Sequence, residues 1–148
     1  MKMKYCKTFM KTALLWAENS YAIRRKVGAV LADKTNTRVL ACGYNGTLSG
    51  LPNTCEREVI VDGVRELKTL PEVCHAESNV IVFAAKNGIP TQDSILYVTL
   101  SPCLECSKLI IGAGVKKVFY YEKKYKDTRG LDLLQDVGVE VIQLNQLN

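Results

Sequence analysis

The sequence predicts a three-layer α/β/α domain built on a mixed sheet of about five strands. Three observations predict it. Short β-branched runs alternate with helical runs through the second half of the chain, which favours parallel strands joined by crossover helices. Two apolar runs in the first half are joined by a tight loop, which favours an antiparallel pair. The chain has 148 residues, one domain's length and enough to bury a real core.

Cys6, Phe9, Met10, Ala13, Trp16 and Ala17 recur at helical spacing, with Lys4, Lys7 and Lys11 on another face. An amphipathic helix therefore opens the chain and ends near Asn19 and Ser20. Residues 27–32 are short, apolar and β-branched, 33–37 are turn-like, and 38–43 are apolar again: two antiparallel strands. Residues 44–53 carry glycines and a proline and form a shaped loop, while 55–72 are polar and show no decisive period. Residues 75–86 read as a buried helix stopped by Asn87-Gly88 and Pro90. Then come a strand at 95–100, a helix opened by proline at 102–113, and a strand at 117–121. A helix at 128–137 is closed by Gly138, and 140–144 is a final strand. With no repeat, low-complexity tract or linker, 1–148 reads as a single domain.

Composition narrows the function classes. No apolar run approaches the roughly 18 residues of a membrane span, so a membrane protein is not expected. The basic start and the apolar residues 13–17 are interrupted by Lys7 and Lys11, end at Glu18 and lack a cleavage site, so no signal peptide is expected either. A cytoplasmic protein is. The net charge of +5 suits a small anionic ligand, and no Lys/Arg run is long enough to point to nucleic acid. The six cysteines are even in number, yet without a secretion signal a disulfide framework is disfavoured. They are expected to be metal ligands, catalysts or buried small hydrophobes.

Two stretches carry chemistry: His75-Ala76-Glu77 and Pro102-Cys103-Leu104-Glu105-Cys106, each opening an expected helix. Two thiolates three apart at a helix start point the same way, and the N-terminal N–H groups favour their charge. His75 adds one nitrogen, giving three protein ligands for zinc with the fourth position open to water, the catalytic pattern. Glu77 is near enough to take a proton from that water without being a ligand. Read alone, a single histidine is most often structural, and a Cys-x-x-Cys is ambiguous between redox, metal and chance. Together, His-x-Glu and Pro-Cys-x-x-Cys are the established signature of the zinc nucleobase deaminases.

From Ser20 to Leu144 the chain resembles the cytidine and deoxycytidylate deaminase superfamily, and within it the deoxycytidylate (dCMP) deaminases, including those carried by phages. The resemblance runs through Arg24-x-x-Val27-Gly-Ala-Val30, Gly43-Tyr-Asn-Gly46 with Ser49-Gly50, and Cys74-His-Ala-Glu-Ser-Asn79. It continues through Tyr97-Val-Thr-Leu-Ser-Pro-Cys103 and Lys124-Tyr-Lys-Asp-Thr-Arg-Gly130. It implies a cytidine-deaminase-like fold and zinc-dependent hydrolysis of dCMP to dUMP and ammonia. Glu77 would carry the proton to ring nitrogen 3 and then to the departing amine. It also implies substrate contacts from Asn45 near the sugar, from Ala76, Ser101 and Pro102, and from Tyr125 and Lys126 in a closing segment where Lys126 meets the 5′-phosphate.

The family further implies a homohexamer activated by dCTP and inhibited by dTTP with Mg2+. The effector would lie against Arg24, Lys26, Gly28, Asn45, Gly46 and Gly50. Partners are then small nucleotides and other copies of the chain, with neither nucleic acid nor membrane. The setting is the cytoplasm (the host's, if a phage encodes the protein), and the role is supply of dUMP for thymidylate synthesis. Phage relatives can carry a second, structural zinc; this chain has Ala22 where one of its cysteines would stand, although Cys55 matches another ligand, so one zinc per chain is expected. Cys6, Cys42 and Cys74 are expected to be buried hydrophobes. Alternatives are a deaminase that also accepts dCTP or a free nucleoside, a tRNA adenosine deaminase, and a non-catalytic zinc-stabilised interaction module. The 56–73 segment between Asn45 and His75 argues against the tRNA enzyme, and Glu77 against the module.

Overall fold

The computed structural model describes residues 1–124 and 126–148. The amphipathic start becomes α1 (Met3–Ala17), whose buried stripe is Cys6, Phe9, Met10, Ala13 and Ala17. Trp16, expected on that stripe, instead lies 39% exposed at its edge. Next come β1 (Gly28–Ala32), β2 (Val39–Tyr44) and the two-residue β3 (Gly46–Thr47). The rest are β4 (Glu56–Val61), β5 (Val64–Thr69), β6 (Val73–Cys74), α2 (Ala76–Lys86), β7 (Ile95–Leu100), α3 (Leu104–Gly112), β8 (Lys117–Glu122), α4 (Arg129–Asp136) and β9 (Glu140–Gln143).

Five strands form the main sheet in the order β2-β1-β7-β8-β9. β1 is antiparallel to β2 and to β7, while β7, β8 and β9 run parallel, joined through α3 and α4. This is the three-layer mixed sheet expected from the sequence. Side chains alternate between its faces, as the period of two requires. Val30, Ala32, Ile95, Tyr97 and Phe119 meet α1, whereas Ala29, Leu31, Leu96, Val98 and Val118 meet α2, α3 and α4. Burial on both faces makes β1 and β7 continuous apolar runs. Tyr97 is admitted to the centre because its hydroxyl donates to Asn36 Oδ1 at 2.7 Å and its ring stacks on Phe119 at 4.8 Å.

The polar stretch 55–72 is a β-hairpin: β4 and β5 pair antiparallel from Glu56↔Thr69 to Val61↔Val64. Asp62 and Gly63 form its turn with φ of 51° and 76°. That left-handed pair is what a two-residue hairpin needs, so the Asp-Gly dipeptide was the available signal. The expected buried cysteines also divide. Cys6 is fully buried, but Cys42 and Cys74 are only half-buried, Cys74 because it lies on the short strand that pairs with β3.

Candidate active site

The topology brings the site together at one end of the strands of the main sheet. The C-terminal ends of β7 and β8 lie at this end, and so do the start of β1 and the end of β2, because β1 runs antiparallel to both β2 and β7. Crevices at strand C-termini are where open α/β sheets bind ligands. Here the cleft has a volume of about 290 Å3 and reaches down to His75, Ala76, Glu77, Ser101 and Cys103.

His75 is the N-cap of α2 and Cys103 the N-cap of α3. Both have extended backbone, which lets each helix begin with a side chain turned toward the other helix's start. His75 Nδ1 lies 3.5 Å from Cys103 Sγ and 3.3 Å from Cys106 Sγ. All three donor atoms lie within 4.8 Å of one another. Tetrahedral zinc, with bonds of about 2.3 Å to sulfur and about 2.0–2.1 Å to nitrogen, sets such donors roughly 3.5 Å apart. The triad therefore fits the ion in chemistry and in spacing. Among the described residues it is the group with the composition and closeness to hold a metal.

The electrostatics agree. Cys103 is lowered by its hydrogen bonds with Cys106 and His75. Cys106 is pushed up by its hydrogen bond with Cys103 and by burial. His75 is raised chiefly by the hydrogen bond with Cys103, against the opposing effect of burial. Glu77 is 4% exposed, and burial raises its carboxyl above the usual range. A buried carboxyl with a raised affinity for its proton sits beside a three-donor metal set, which is the equipment of a hydrolytic site.

The cleft includes some of the other expected residues and excludes others. Asn45 lines it, but its amide also clamps the neighbouring loop: Oδ1 accepts from the Val27 N–H at 2.9 Å and Nδ2 donates to the Arg25 carbonyl at 2.8 Å. Ala76 and Ser101 line it, and Ser101 ties its two sides together. The Ser101 N–H donates to the Glu122 carbonyl at 2.8 Å, and the Lys124 N–H donates to Ser101 Oγ at 2.6 Å. Pro102 is buried behind the lining, with its carbonyl against Gly130 of α4. Lys126 is exposed and outside the lining, and Tyr125 lies outside the described residues.

Of the expected effector residues, Arg24 and Asn45 line the cleft, while Lys26, Gly46 and Gly50 do not. Gly28 is committed elsewhere, since a Cβ there would fall 2.0 Å from the Ala13 carbonyl oxygen of α1. Its glycine serves helix packing. Sequence reasoning missed Arg25, Glu56, Thr69 and Lys124, all of which line the cleft. Glu56 is buried, and its Oε2 accepts the backbone N–H groups of Ile23 and Arg24 at 2.8 Å each. Recognising the β4–β5 hairpin would have brought Glu56 and Thr69 to attention.

The model of the cytidine and deoxycytidylate deaminase zinc-binding region matches residues 3–122. The deoxycytidylate deaminase of Enterobacteria phage T4 is 32% identical, over 95% of this chain and 93% of that one. The human deoxycytidylate deaminase is 39% identical, over 81% of this chain and 66% of that one. The crystal structure of dCMP deaminase from the cyanophage S-TIM5 in complex with dCMP and dUMP superposes with a TM-score of 0.85. It is 43% identical and covers 97% of this chain and 99% of that one.

Proposed function

The chain belongs to the cytidine and deoxycytidylate deaminase zinc-binding family, and from that premise we propose that it hydrolyses dCMP to dUMP and ammonia. The observation that carries the reading is one cleft lined by His75 and Cys103 of the three-donor set, by the buried Glu77 carboxyl, and by the cations Arg24, Arg25 and Lys124, with Cys106 completing the donors beside it. The donor set suits the chemistry of the ring, and the cations suit the charge of the phosphate. The likeness to a protein crystallised with dCMP and dUMP supports the same substrate.

Zinc held by His75, Cys103 and Cys106 would supply a Lewis acid that makes water nucleophilic near neutral pH. Glu77 accepts a proton from the water that adds to ring carbon 4 and passes it to ring nitrogen 3. It then carries a second proton to the exocyclic amine as the carbon–nitrogen bond breaks, so that water and dCMP become dUMP and ammonia. Its raised affinity for protons suits this carriage, because the same group must both take and give. Ala76 and Ser101 shape the base pocket, and Asn45 holds the loop at the sugar side while clamping residues 25–27.

Within this reading one zinc is bound per chain, and the protein is a cytoplasmic homohexamer that supplies dUMP. It is activated by dCTP and inhibited by dTTP with Mg2+. Support for these finer points comes from the resemblance alone. The test is ammonia release by the zinc-loaded protein on deoxycytidine, dCMP, CMP and dCTP, each with and without dCTP or dTTP and Mg2+. Selective turnover of dCMP is expected, and turnover of deoxycytidine in preference to dCMP would reject the substrate. An effector-independent rate curve would reject the regulation.

A further inference from the structure

Resting on the dCMP reading, we infer that Arg25 is the residue that distinguishes the nucleotide from the nucleoside, and that Glu122 holds its guanidinium until a phosphate takes the carboxylate's place. Arg25 lies in the segment leading into β1 and lines the cleft, and Glu122 ends β8, its carbonyl accepting from the N–H of the cleft-lining Ser101. The two side chains are paired, although 97 positions separate them in sequence. The pair thus ties the cleft-lining segment before β1 to the end of β8, next to the Ser101 N–H that holds the Glu122 carbonyl.

Three features suit it to exchange. First, the pair is exposed, at 50% for the Arg25 side chain and 61% for Glu122. Such pairs gain little over water, so a phosphate carrying up to two charges can displace a single carboxylate. Second, a guanidinium binds phosphate through paired N–H groups, which gives geometric selection as well as attraction. Third, the backbone that carries each partner is tied by hydrogen bonds. Glu56 Oε2 holds the N–H groups of Ile23 and Arg24, Asn45 Nδ2 holds the Arg25 carbonyl, and Ser101 holds the Glu122 carbonyl and the Lys124 N–H. Arg24, which also lines the cleft, donates instead to the neutral Thr69 hydroxyl on β5 at 3.3 Å and, among the described residues, has no carboxylate to exchange for a phosphate. Lys124 lines the same cleft and adds a point charge to the phosphate end.

The experiment is steady-state kinetics of the zinc-loaded enzyme on dCMP and deoxycytidine, with inorganic phosphate as a competitive probe. Arg25→Ala is expected to lower the dCMP-over-deoxycytidine ratio of kcat/KM at least tenfold, mainly through KM, and to weaken inhibition by phosphate. Arg25→Lys, keeping the charge without the fork, should fall between. Glu122→Gln removes the resting competitor and is expected to lower KM for dCMP about two- to fivefold, in line with the small worth of an exposed pair. A wild-type enzyme selective for dCMP whose ratio is unmoved by Arg25→Ala would overturn this inference alone. So would an equal rise of both substrates' KM, the mark of a merely structural residue. A higher KM for dCMP in Glu122→Gln would overturn the exchange. A wild-type enzyme that prefers deoxycytidine overturns the nucleotide reading, and this inference with it.

Discussion

Glu77 and Asp33 show opposite ways of tuning a carboxyl. Burial raises Glu77 against the lowering influence of a backbone N–H, of His75 and of the Cys106 side chain, which fits a group that moves protons. Glu77→Gln keeps the shape and the metal donors, so it should retain zinc by metal analysis while kcat falls by roughly 10²–10⁴-fold. Burial is the largest single effect on Asp33, in the turn between β1 and β2, and raises its carboxyl. The Thr35 hydroxyl and the N–H groups of Arg38, Thr37 and Thr35 together outweigh it and lower the carboxyl to about 2. The folded protein therefore prefers the charged form below the ordinary carboxyl value of about 3.9. Its contribution to stability is complete above that value and is lost as pH falls toward 2. Asp33→Asn should accordingly have a lower Tm than wild type at pH 7, a gap that closes as thermal melts are run down to about pH 2.

At the scale of elements, the metal donors are placed by helix starts, and the helix starts by what packs behind them. Asn79 in the first turn of α2 donates to the Tyr44 carbonyl at 2.7 Å, fixing α2 to the end of β2. Behind α3, Gly130 of α4 lies so close that a Cβ would stand 2.3 Å from the Pro102 carbonyl oxygen and 2.7 Å from that of Cys103. Both contacts are with backbone, so a methyl there must displace α4 or the loop carrying Cys103. Gly130→Ala should cost about 1–3 kcal/mol in denaturant unfolding and weaken zinc retention under chelator challenge. The β4–β5 hairpin acts at the same scale: its base delivers Glu56 and Thr69 to the cleft, and through Glu56 it holds the segment bearing Arg24 and Arg25.

For the whole molecule, the sheet is a rigid floor whose central strand contributes Ile95, Leu96, Tyr97 and Val98, all fully buried. Each such aliphatic side chain stabilises by about 1.5–3 kcal/mol relative to exposure. The metal donors then join two separate elements, His75 at the start of α2 and Cys103 and Cys106 at the start of α3. An ion bound by both adds its affinity to folding. Chelation of the holoenzyme should lower Tm, and His75→Ala or Cys106→Ala should lose zinc and show a similarly reduced Tm that chelator no longer changes. Full zinc occupancy in either variant would contradict the ligand assignment.

The sequence by itself determined the alternation of strands and helices, the antiparallel start, and the pairing of His-Ala-Glu with Pro-Cys-x-x-Cys. These are local patterns, set by side-chain period and by the few residue types that hold zinc. It did not reveal the hairpin, because alternating charges and exposed valines carry a weak period and only Asp62-Gly63 marks the turn. Nor did it reveal that Gly28 serves α1 rather than a ligand, or that Arg25 pairs with Glu122. Those facts follow from the tertiary fold, because running β1 antiparallel to β7 brings distant segments to the same end of the strands, and no local pattern of residues encodes which end two segments will share.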